Sequence, residues 1–341
     1  MFRFLLGALL ALPFATEALA QGAQPGPTLS AVRQRDALVC GAHPGSPGFS
    51  VADSRGVYRG MDADICRAVA AATLGDAGKV RFIVLTSQAR LPALQSGQVD
   101  LLARTTSWTH VRDTANGLNF TAVNFYDGQG FLVRRSANVE RAVQLDGATI
   151  CVASGTTNEL NLADWARANN VSIHPLVFEQ NDEARLAYLG GRCDAYSTDA
   201  SQLAGIRSTA SNPADHVILP ERISKEPLAP AVRHGDDQWF DIVRWTMFAL
   251  IEAEELGVTQ ANAEQMLQST NPAIRRLLGN SGDHGPMMGL DRRWAYNVIR
   301  AVGNYGEIYD RHLGPNTPLG LPRGLNDLWS RGGLMYAMPI R

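Results

Sequence analysis

The strand and helix signals run through one α/β alternation and then begin again, which confines the chain to folds built on two sheet-centred units. In the first run, Ala37 to Gly41 reads as a short apolar strand. Asp62 to Leu74 reads as an amphipathic helix, with Ile65, Val69 and Ala72 at helical spacing and Gly75 as its stop. A β-rich strand at Val80 to Leu85, a short helix at Arg90 to Ser96 and a buried strand at Val99 to Ala103 complete the run. The second run has strands at Ala148 to Ala153, Ile173 to Phe178, Asp194 to Thr198 and Val217 to Leu219, with helices at Asn158 to Asn169 and Asn181 to Gly190. This is the pattern of mostly parallel sheets covered on both faces.

Gly130 to Arg134 and Leu228 to Val232 are extended stretches at the passages between the units, and two crossings between two lobes point to a hinge. From Asp236 the character changes. Phe240, Val243, Met247, Leu250 and Ile251 share one face of a helix that ends at Gly257. Helical patterns follow at Asn262 to Leu267, Ile274 to Leu278 and Asp291 to Tyr305, then a Gly/Pro-rich tail. The length, 341 residues, is more than one compact core usually holds. A net charge of −2 argues against a nucleic-acid partner, which would meet a basic field.

The N-terminus reads as an export signal over residues 1–20. Arg3 supplies the positive region, Phe4 to Ala15 the apolar region, and Ala18-Leu19-Ala20 the small-residue cleavage site before Gln21. The apolar run is shorter than the roughly 20 residues needed to span a bilayer. Residues 21–36 then read as a leader, with Gln21 to Thr28, rich in Pro and Gly, as its loose part. Export to an oxidising compartment favours disulfides among Cys40, Cys66, Cys151 and Cys193, and four cysteines allow three pairings. With no C-x-x-C pair and seven scattered histidines, neither a metal site nor a cofactor is expected.

Three segments carry chemistry. In Thr105-Thr106-Ser107-Trp108-Thr109-His110-Val111-Arg112, a buried strand runs into a hydroxyl-rich turn with one arginine, whose planar fork matches a carboxylate. The alternative is that the hydroxyls cap the next helix and Arg112 lies on the surface. Ser154-Gly155-Thr156-Thr157 opens a helix, where free N–H groups and the dipole attract anions; ordinary capping is the alternative. Asp199 ends a strand, where ligands of open α/β sheets sit, and could pair with an ammonium or cap Ala200 to Ile206. Together an arginine, an anion-binding turn and a carboxylate, split across two lobes, match the two charged groups of a free amino acid.

The mature chain resembles the family 3 solute-binding proteins of bacterial amino-acid ABC transporters, and within them the general L-amino-acid-binding subgroup. The strings that carry this are "YRGMDADICRAVAAA", "LPALQSGQVDLL", "TTSWTHVRDT", "NFYDGQGFLV", "SGTTNELNLADW", "STDAS", "ISKEPLAPAVRHGDDQWFDIVRWT" and "AVGNYGEIYDR". The resemblance implies an α/β, periplasmic-binding-protein type II fold, two lobes joined by a two-strand hinge, with a C-terminal helical extension. It divides the chain into a first lobe at 37–131, a second at 132–231, a return at 232–256 and an extension at 257–341. It implies a monomer in the periplasm that delivers an L-amino acid to an inner-membrane ABC permease.

Residue by residue, the resemblance places Arg112 on the substrate carboxylate with Thr105, Ser107 and the Thr157 amide beside it, and Asp199 on the ammonium. Ser46 and Ser87 stand where relatives carry larger side chains, which suits broad specificity, and Trp108 and Phe49 are left to line the cleft, with core packing the alternative for Phe49. The two-lobe fold favours Cys40–Cys66 and Cys151–Cys193, because pairing within lobes leaves the hinge free. An enzyme reading, dehydration of a cyclohexadienyl acid on the same fold, would need a further positioned acid. A ligand-sensing partner of a chemoreceptor would use the same cleft.

Overall fold

The computed structural model describes residues 24–341. The export signal at 1–20 lies outside the described residues. Two five-stranded sheets share one strand order. In the first, Val80–Val84, Leu38–Ala42 and Leu101–Leu102 run parallel, followed by Ala231–Arg233 and Leu118–Phe120. In the second, His174–Phe178, Thr149–Ala153 and Ala195–Asp199 run parallel, followed by Gln129–Arg134 and His216–Ile218. In each sheet the fourth strand arrives from the other lobe and pairs antiparallel with its neighbours.

The crossings lie just before those strands. Phe125–Asp127 and Glu226–Leu228 pair antiparallel as a two-stranded ribbon. The stretches expected as connectors, Gly130 to Arg134 and Leu228 to Val232, are largely sheet strands, so the expected divisions at 131/132 and 231/232 fall inside strands. Periodicity could not separate a buried strand from an extended connector, since both are apolar and continuous.

The helix Met61–Leu74 is buried almost all round. Its small residues, Ala68, Ala70, Ala71 and Ala72, are spread round the helix and let a second layer approach on a side away from the sheet. That layer is the extension. Residues from Asp237–Glu255, Trp294–Val302 and Tyr305–His312 share one core with Leu38, Phe49 and Ile65. The helix expected over Asp291 to Tyr305 is two helices, because Gly303 turns at φ 84° and Asn304 starts the next with a capping box to Glu307. The leader is not loose throughout. Pro27–Arg35 is a helix that buries Leu29 and Val32 and donates the Thr28 N–H to Asp236 Oδ2 at 2.9 Å.

The second lobe is thinner. Phe131, Val133, Ile150 and Val152 form a core on one face of its sheet, and Leu132, Cys151 and Tyr196 on the other, as period-two alternation requires. Disulfides join Cys40 to Cys66 and Cys151 to Cys193, one in each lobe.

Candidate functional site

Past the strand Leu101–Leu102 the chain turns at Thr105, whose φ of 40° is rare for a β-branched residue. Asp62 holds the turn: its Oδ2 accepts the Thr105 N–H at 2.8 Å and its Oδ1 accepts from Asn124 Nδ2 at 3.2 Å. Burial pushes the Asp62 carboxyl up to about 7, against the pull of those hydrogen bonds. Two residues on, the extended chain sends neighbouring side chains to opposite sides. The Ser107 hydroxyl points into the seam between the lobes and donates to Glu226. Trp108 goes the other way, stacks on Phe120 with ring centroids 5.8 Å apart, and lines a pocket outside the cleft. Trp108 is therefore not part of the cleft wall. Phe49 is core, edge-on to Phe125.

Thr109 caps the short helix His110–Thr114, yet Arg112 is not a surface residue. Its Nη1 donates to Ser107 O at 2.9 Å. Burial lowers the Arg112 pKa, and the carboxylates of Glu226 and Asp199 oppose that shift.

In the second lobe, Thr149–Ala153 runs into the turn and then into the helix Thr157–Asn169, where Thr156 Oγ1 accepts the Glu159 N–H at 3.3 Å. The cap takes the Glu159 amide and Glu159 Oε2 accepts the Gly155 N–H at 3.2 Å; the other amides of a helix start are the groups that can meet an anion. Gly155 sits at φ 69°, and a Cβ there would lie 2.8 Å from Gln88 Cγ of the other lobe. Asp199 stands at the N-cap of the helix Ala200–Thr209, but its side chain makes no capping bond; its Oδ1 accepts from Asn158 Nδ2 at 2.9 Å. Burial, with the carboxylates of Asp127 and Glu226 nearby, raises the Asp199 pKa well above the ordinary range.

The lobes meet over a polar seam that leaves about 10 Å³ of cavity. Thr105 and Ser107 of the first lobe face Thr157 and Asp199 of the second across it, with Arg112 packed behind Ser107. Ser87 Oγ reaches Asn181 Oδ1 at 3.3 Å and Gln88 Nε2 reaches Ser154 Oγ at 3.0 Å, so the cleft is closed.

Two lining arginines were missed from sequence. Arg104 Nε donates to Leu85 O at 2.8 Å, and Arg90 has a buried Nε without a protein partner. Burial, and then the guanidiniums of Arg112 and Arg104, lower the Arg90 pKa well below the usual range. Burial brings Arg104 down to about 9. Their positions just past the first-lobe strands carried the signal, since ligands gather at strand carboxyl ends. Glu226, on the hinge ribbon, was also missed.

The fold and cleft define a two-lobed binding protein of periplasmic-binding-protein type II. The description of the bacterial extracellular solute-binding proteins, family 3, matches residues 38–262, and the chain belongs to that family. It is 52% identical over 326 residues to the general L-amino acid-binding periplasmic protein AapJ of Rhizobium johnstonii, covering 95% of this chain and 96% of that one. It is 53% identical over 328 residues to the glutamate/glutamine/aspartate/asparagine-binding protein BztA of Rhodobacter capsulatus, covering 96% and 97%. A solved periplasmic binding protein from Brucella ovis with glutathione bound is 51% identical, with a TM-score of 0.91, covering 93% of this chain and all of that one. Each of these relatives is named as a binding protein.

Proposed function

We propose that the protein is the periplasmic substrate-binding component of an ABC importer for L-amino acids, of broad specificity. One observation carries this reading: the buried guanidiniums of the first lobe, Arg90 and Arg104 in the cleft wall and Arg112 behind Ser107, stand across one closed cleft from the buried carboxylate of Asp199 in the second. Arg112, with Ser107, Thr105 and the helix start at Thr157, takes the α-carboxylate, and Asp199 takes the ammonium. Arg90 and Arg104 face the side chain, which favours acidic and amide groups, and the small Ser87 leaves room for others. The names of the close relatives agree in ligand class. The lobes part about the ribbon of Phe125–Asp127 and Glu226–Leu228 to admit the ligand and close over it, and the closed form engages the membrane permease.

Of the two buried acids at the cleft, Asp199 is committed to the ammonium and Glu226 is taken up by four hydrogen-bond donors, which supports a binder over a dehydratase. A thermal-shift panel of the L-amino acids and glutathione ranks ligands directly, because binding stabilises by RT ln(1 + [L]/Kd). Stabilisation by several L-amino acids, with no product released from a cyclohexadienyl acid, is the expected result. No shift with any of them would end the reading.

A further inference from the structure

Four donors converge on one buried carboxylate in the hinge. Glu226 Oε2 accepts from the hydroxyls of Ser107 and of Thr157, the latter at 2.8 Å. Its Oε1 accepts from Asn161 Nδ2 at 2.7 Å and from Ser224 Oγ at 2.7 Å. The side chain is 1% exposed. Ser107 belongs to the first lobe, and Thr157 and Asn161 lie one turn apart on a helix of the second. The bonds to both lobes therefore exist together only when the cleft is closed. Glu226 is also among the charges that favour the ionised form of Arg112.

We propose that Glu226 is a positioning residue for ligand retention: a hinge carboxylate that ties the Ser107 turn to the start of the Thr157 helix and so fixes the groups around the ligand carboxylate once the lobes close. This inference rests on the proposed function, because it assigns Glu226 to the same end of the ligand. The Ser107 and Thr157 hydroxyls are turned to Glu226, which leaves backbone amides and Arg112 to meet the ligand. Ligand entry is through the open form, where these bonds are absent, so Glu226 acts on release and not on capture rate. A carboxylate that accepts four hydrogen bonds is costly to replace, since each bond to a charged group counts for more than a neutral one.

The test uses the full mature chain and stopped-flow fluorescence with L-glutamate and L-glutamine. Glu226→Gln keeps the shape and removes the charge; it is expected to raise the dissociation rate roughly ten- to a hundred-fold with the association rate unchanged. The factor is expected to be the same for both ligands, which share the α-carboxylate. Asn161→Ala, which removes one second-lobe donor, is expected to raise the dissociation rate several-fold. In the double variant its effect is expected to shrink, because the acceptor charge is already gone. Melting without ligand confirms that each variant is folded, and Asn161→Ala carries the test if Glu226→Gln is not. Unchanged dissociation in the folded variants, or a loss expressed in the association rate, overturns the role of Glu226 while leaving the proposed function standing. A parent protein that binds neither amino acid removes both.

Discussion

The two sheets have the same strand order and the same antiparallel fourth strand, but their surroundings differ. The first is built into a core that continues through the extension, from Leu38 and Ile65 to Trp294 and Tyr309. The second has two separate, smaller cores, one on each face. The chemistry divides along the same line. The first lobe brings three buried guanidiniums, Arg90, Arg104 and Arg112; the second brings Asp199 and a helix N-terminus. A like-charged cluster is costly to hold closed by itself, and a well-packed lobe can keep it in place until an anion arrives. One topology thus serves as a heavily packed frame on one side and a light jaw on the other.

The largest expected effect tests the division of charge. Arg112→Ala should weaken all L-amino acids alike, by roughly 2–5 kcal/mol, because every one offers the same carboxylate. Calorimetry across the panel checks this, and a loss confined to some ligands would move the carboxylate elsewhere.

Next comes the difference in packing. The loops closed by the disulfides span 26 and 42 positions, so the chain-entropy relation assigns them about 3.5 and 4 kcal/mol. Cys151→Ser with Cys193→Ser should lower the melting temperature more than Cys40→Ser with Cys66→Ser, because the second lobe has no extension to support it. The reverse order in calorimetric scans would break the contrast between frame and jaw.

A smaller effect follows from Asp199. Its carboxyl is held above the ordinary range by burial and by Asp127 and Glu226, whereas a bound ammonium favours the ionised form. Binding therefore expels a proton, and affinity falls as pH is lowered through the raised pKa, by up to roughly tenfold per unit. Titrations in two buffers of different ionisation enthalpy measure the proton, and Asp199→Asn should abolish its release.

The smallest concerns the join between frame and hinge. Asn326 accepts the Tyr126 N–H at 2.6 Å and donates Nδ2 to Tyr126 O at 3.1 Å. Asn326→Ala should cost about 1–2 kcal/mol in urea unfolding, with ligand ranking unchanged. A change in ranking would mean that the extension shapes the cleft itself.

Much of the architecture was legible from the chain because hydrophobic period reports burial directly. The helix Met61–Leu74 and the strands Thr149–Ala153 and Ala195–Asp199 appear within a residue or two of where spacing puts them. The crossings were misplaced by a few residues, since nothing local distinguishes Phe125–Asp127 from the strand that follows. The helix Pro27–Arg35 was hidden because Leu29 and Val32 are its only buried apolar residues along a polar segment. At the site, the turn and strand-end rules point to Arg112, Ser107, Thr157 and Asp199. Trp108 was misassigned because its direction depends on the pairing of Ser107 with Leu228, a long-range contact. Arg90, Arg104 and Glu226 give no local signal beyond their place at strand ends or in the hinge.

The Asn326 amide has one further consequence. Pro227 stands opposite Tyr126 and has no N–H to give, so both backbone groups of Tyr126 face outward. Asn326 takes them, and the other side of the ribbon is taken by Trp108 N–H on Pro227 O at 2.8 Å. Hinges with open strand edges are where two copies of a protein trade segments with one another. Here each edge is already matched within the same chain, so the joint that must bend in every transport cycle offers a second molecule nothing to pair with.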